Sequence, residues 1–91
     1  MKHVLILVPE MAVPAAIIDP RYMFTAVNEF FKSQGKSPLF NVQLVGQTKE
    51  VKLNDGLISI HTDVLLHDVK KADLVIIPAI GGHLEYAIKR N

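Results

Sequence analysis

The chain contains no cysteine. That excludes disulfides, zinc–thiolate sites and a cysteine nucleophile from these residues in one step. It also fits the cytoplasm, the expected compartment. An excess of one charge is missing too. Ten Lys and Arg stand against nine Asp and Glu, for a net charge of +1. The basic residues are scattered, so there is no electrostatic footprint for nucleic acid. No apolar run approaches the ~18 residues of a membrane span, and no membrane contact is expected. Val4–Val8, after Met1-Lys2-His3, is too short for a signal peptide and is closed by Pro9-Glu10. His3, His61, His67 and His83 show no metal-binding spacing such as i, i+4 on one helix. No metal, cofactor, internal repeat or low-complexity segment is read from the chain.

What is present is a globular chain of one domain at most, and a small one. Its 49% hydrophobic and 21% charged residues are ordinary proportions for a folded chain. The most informative stretch is Ala72–Gly82. Leu74–Ile77 is a short, mostly β-branched run, as expected of a strand buried on both faces. Pro78 cannot donate to a sheet ladder and should end it. Gly81 and Gly82 follow, and paired glycines tolerate φ > 0 and let a ligand approach the backbone. In open α/β sheets ligands sit outside the carboxyl ends of the strands. Gly81, Gly82 and the adjacent His83 are therefore candidate pocket residues.

Val4–Val8 reads as a central parallel strand. Asp19-Pro20 has the form of a helix N-cap and first helical residue. Met23, Phe24, Val27, Phe30 and Phe31 then fall on one helical face, and Gly35 suits the end. The three phenylalanines are expected in the core. Phe40–Gly46 reads as a strand nearer the sheet edge. Asn54-Asp55-Gly56 between alternating runs signals a β-hairpin. Asp63–Lys71 reads as a short helix or turn, and His83–Asn91 as the start of another helix. The order implies an α/β fold with a doubly wound, flavodoxin-like parallel sheet. Only three strands can be parallel. So few would leave an apolar edge and face uncovered, so the 91 residues are expected to be the N-terminal half of a domain.

In order and spacing, these features resemble the ThiJ/PfpI superfamily, the class I glutamine amidotransferase-like fold. The match runs through Lys2–Val8, the Asp19-Pro20 helix, Phe40–Gly46, the Asp55-Gly56 hairpin, and Ala72–Pro78 with Gly81-Gly82. It looks most like the amidase-like sensory half of AraC-type transcriptional regulators. Enzymes of the superfamily carry a reactive cysteine after the next strand, and a carboxylate in the loop before the first helix. Val13-Pro14-Ala15-Ala16 stands where that carboxylate would be, and Glu10 is the nearest acid. Ala79 and Ile80 separate Pro78 from the glycines. Tyr22 occupies a position where the regulators often carry an acid. The candidate pocket is thus Glu10, Tyr22, Gly81, Gly82 and His83, with no catalytic residue assigned.

The resemblance implies a transcriptional regulator's ligand-sensing or dimerisation domain. Its partners would be a second copy and a small-molecule effector, with DNA bound only through a domain not in this chain. The alternative is an amidase or hydratase whose cysteine lies beyond residue 91. A third reading is a degenerate, non-catalytic interaction domain.

Overall fold

The structure, a computed structural model, describes residues 1–81. The helix expected from His83 lies outside the described residues. Strand β1 (Lys2–Leu7) leads to helix α1 (Ala15–Ser33) and strand β2 (Phe40–Gly46). β3 (Glu50–Leu53) and β4 (Ile58–His61) form the antiparallel hairpin. β5 (Val64–Leu65), a 3₁₀ turn (Leu66–Asp68) and β6 (Leu74–Ile76) follow. The main sheet has four strands in the order β5-β2-β1-β6, all parallel. This is an α/β fold with the partial flavodoxin-like arrangement expected.

The core forms where α1 and the hairpin meet one face of the sheet. Ile6, Val8, Ala12, Ile17, Leu44, Val51, Leu53 and Ile60 are buried together. Ile17 is nearly inaccessible to solvent, and the Phe24 ring meets Phe40 edge-on at 4.8 Å. Asn28 ties α1 to β2. Its side-chain oxygen accepts from the Leu39 and Phe40 N–H groups, and its amide donates to the Phe40 carbonyl.

Several expectations are corrected. The helix begins at Ala15, not at Pro20. Pro14, with its φ of −55° already helical, starts the turn, and the Ile17 and Ile18 N–H groups donate to its carbonyl. Pro20 therefore sits inside the helix and Asp19 caps nothing. Residues 63–71 hold the short turn expected, the 3₁₀ turn, and before it they also supply an extra parallel strand. Asp63 fixes it: its N–H donates to the Leu44 carbonyl at 2.8 Å, and its carboxylate accepts the Leu44 N–H at 2.7 Å. With β5 outside it, β2 is the strand next to the edge and not the outermost one.

β6 ends at Ile76 and is not buried on both faces. With β5 it is one of the two edge strands among the described residues, and α1 packs over β1 and β2 instead. Leu74 and Val75 are nearly half exposed and Ile77 is 76% exposed. On α1, Phe24 and Phe31 are half-buried, but Phe30 is 62% exposed. Phe30 points away from the core because the inward face is the one set by Ile17, Phe24, Asn28 and Phe31.

Candidate functional site

The chain leaves β1 for β2 on one side, and later returns to place β6 on the other. The strand order reverses between β1 and β6. In open α/β sheets that reversal opens a crevice at the carboxyl ends. Here the crevice is bounded by the Pro9–Pro14 loop and by residues 78–81.

Backbone pairing closes its floor. Ala12 and Ile80 form an antiparallel bridge. The Val13 N–H donates to the Ala79 carbonyl at 2.8 Å, and the Gly81 N–H donates to the Met11 carbonyl at 2.7 Å. Ala79 and Ile80, the two residues before the glycines, are the ones that form this bridge. The Gly81 N–H is thus already engaged and does not aim at an oxyanion. Nor does Gly81 adopt positive φ; a Cβ there would meet the Val13 Cγ2 at an ordinary 3.5 Å. In the Pro9–Pro14 loop the left-handed residue is Met11, at φ 69°. A methionine in that region is strained by roughly 1–2 kcal/mol, and such strain gathers at functional sites.

The roof is the hairpin tip. Asp55 and Gly56 have φ of 55° and 84°, and the Leu57 N–H donates to the Asn54 carbonyl at 3.0 Å. Positive φ at both central residues is the requirement of a type I′ turn. The hairpin is anchored by Val51, Leu53 and Ile60 in the main core, which carries its tip to the switch point.

Two clefts result. The first, about 310 Å³, is lined by Met11, Ala12, Val13, Pro14, Asn54, Asp55 and Gly81. The second, about 340 Å³, shares Met11, Asn54 and Asp55 and adds Glu10, Thr48, Glu50 and Lys52 among others. Gly81 and Glu10 thus lie on either side of one tip. Tyr22 is 73% exposed on α1 and lines neither cleft. Gly82 and His83 lie outside the described residues.

Asn54, Asp55 and Met11 were not singled out as site residues by sequence. The Asn-Asp-Gly turn was legible, but not where its tip lands. Nothing in the sequence marks Met11 as left-handed. Among the described residues, no group of three or more His, Asp or Glu is placed to hold a metal ion. No helix among them is long and apolar enough to cross a membrane.

No family model matches the chain, and no curated protein matches it. The fold does match a crystal structure, titled that of a "putative transcriptional regulator protein" from Vibrio parahaemolyticus. The TM-score is 0.73 at 24% identity, covering 99% of this chain and 45% of that one. The likeness shows the fold. The chain spans less than half the length of that protein.

Proposed function

We propose that this chain is a sensory and self-associating domain of a transcriptional regulator, of ThiJ/PfpI-like fold and AraC type. A small molecule would bind beneath the hairpin tip, and DNA would be contacted by a domain other than this one. The observation that carries the reading is the site itself. A cleft at the switch point is of the size small ligands occupy, ~300 Å³ and above, and its walls offer binding groups rather than a nucleophile–base pair. Met11, Ala12, Val13 and Pro14 supply apolar contact. Asn54 and Asp55 supply the polar groups that fix orientation. The chain has no thiol, and the backbone N–H of Gly81 is committed to Met11. The fold of the Vibrio protein, described as a regulator, supports the same reading.

A thermal-shift screen against a library of small polar metabolites tests it. Some compounds should raise the melting temperature of the wild-type chain, and the rise should vanish in Asn54→Ala. A library without a single stabilising compound, or hits that persist in Asn54→Ala, would sink the assignment of this cleft.

A further inference from the structure

α1 presents a second apolar face that is exposed among the described residues. Tyr22, Met23, Val27 and Phe30 are exposed hydrophobics, with Ile18 one turn earlier and Ala26 among them. Their spacing (i, i+1, i+4, i+5, i+8) places Tyr22 to Phe30 on one continuous side of the helix. The pattern is symmetric along the axis. Ala26 is at the centre, and a large aromatic ring lies four residues to each side.

We infer that this face of α1 packs against the same face of a second copy of the chain, antiparallel and centred on Ala26. The inference rests on the self-associating reading above and names the surface that serves it. A two-fold interface must be self-complementary, and the large–small–large order of Tyr22, Ala26 and Phe30 meets that demand. Each Tyr22 falls opposite the partner's Phe30. The small side chain at the crossing lets the axes come as close as helices pack, roughly 8 Å. Taking roughly 200 Å² for a whole aromatic side chain, the exposed parts of Ile18, Tyr22, Met23, Val27 and Phe30 present on the order of 600 Å². A stable dimer of standard size uses about 800 Å² per partner, a figure within reach once flanking residues such as Glu29 and Ser33 are added.

A lipid surface fits less well. Helices that lie on membranes carry a polar face rich in Lys and Arg. On α1, Asp19 and Glu29 balance Arg21 and Lys32. The exposed edge of β6 is a separate surface, and it serves as the control.

Sedimentation velocity on the 91-residue chain and two variants decides the matter, with circular dichroism as the check on folding. The wild type should sediment at twice the 10.1 kDa of one chain. Phe30→Lys, at a position already 62% exposed, should keep its helical spectrum and dissociate at least tenfold more readily. Val75→Lys on β6 should remain a dimer. A monomeric wild type overturns the inference, and so does a dimer that survives Phe30→Lys, whatever Val75→Lys does. Ligand binding beneath the hairpin is read by a different experiment, so the sensory reading can fail or stand independently. Should Phe30→Lys lose its helical signal, Tyr22→Lys on the same face carries the test with the same expected outcome.

Discussion

Two glycines show how differently one residue type can be used. Gly46 ends β2, buried beneath the residues that lead into β5. A Cβ there would stand 2.6 Å from Thr62 Cγ2 and 2.9 Å from the Thr48 carbonyl oxygen. The carbonyl is backbone and cannot swing aside, and Thr62 is held by its hydroxyl, which donates to that same carbonyl. Gly46→Ala should therefore destabilise the fold by about 1–3 kcal/mol, the usual cost of overpacking. Gly81→Ala, with ordinary contact at Val13 and no positive φ, should shift stability by less than about 0.5 kcal/mol. Urea titrations of both variants check this, and equal losses would refute the distinction. Sequence reading weighted these residues the other way. A Gly-Gly pair after a strand is visible as a signal, whereas the crowding at Gly46 arises from Thr48 and Thr62, brought in by the hairpin.

At the scale of elements, short-range chemistry was legible and end-points were not. The β-branched runs and the Asp55-Gly56 turn specify their strands locally, so β1, β2 and the hairpin lie where the sequence places them. Asp19-Pro20 looked like a helix start because Pro suits that position. Pro14 suits it equally, and burial of Ile17 favours the longer helix. β5 was missed because two residues carry no periodicity; Asp63 makes the strand, not Val64 or Leu65. Asp73 repeats the device at the other side of the sheet. Its N–H donates to the His3 carbonyl at 2.8 Å, and its carboxylate accepts the His3 N–H at 2.7 Å. That bond holds the carboxyl below its ordinary value of 3.8, aided by Lys2, His3 and Lys71 and opposed by desolvation. A depressed pKa means that the contribution to stability is complete above about pH 4 and fades as the carboxylate is protonated below it. Melting curves of wild type and Asp73→Asn should therefore differ at pH 6 and converge towards pH 2. A gap that stays constant over that range would exclude the carboxylate as the source.

At the scale of the molecule, among the described residues, α1 covers the sheet over β1 and β2, and β6 is exposed. Parallel sheets are stable when both faces are dressed, and Leu74, Val75 and Ile77 depart from that rule. The fold match aligns nearly all of this chain with under half of a longer one. Among the described residues the apolar edge expected of so few parallel strands is exposed at β6, and a fourth parallel strand, not expected, extends the other edge. If α1 joins two copies, part of the stability is supplied by association. The melting temperature should then climb with protein concentration, as mass action requires, and the climb should be absent in Phe30→Lys. Identical melting of wild type at low and high micromolar concentration would argue that each chain stands alone.

The Ala12–Ile80 bridge also has a mechanical meaning. It is a clasp between points far apart in sequence, holding together the two segments that line the cleft under the hairpin tip. Tension applied to the chain at Gly81 meets the Met11 carbonyl before it reaches β6. Met11 is the left-handed residue of that loop and borders the hairpin tip in both clefts. A pull at Gly81 is thus delivered to the loop after β1 through two backbone bonds, and it arrives at the residue of that loop whose backbone is left-handed.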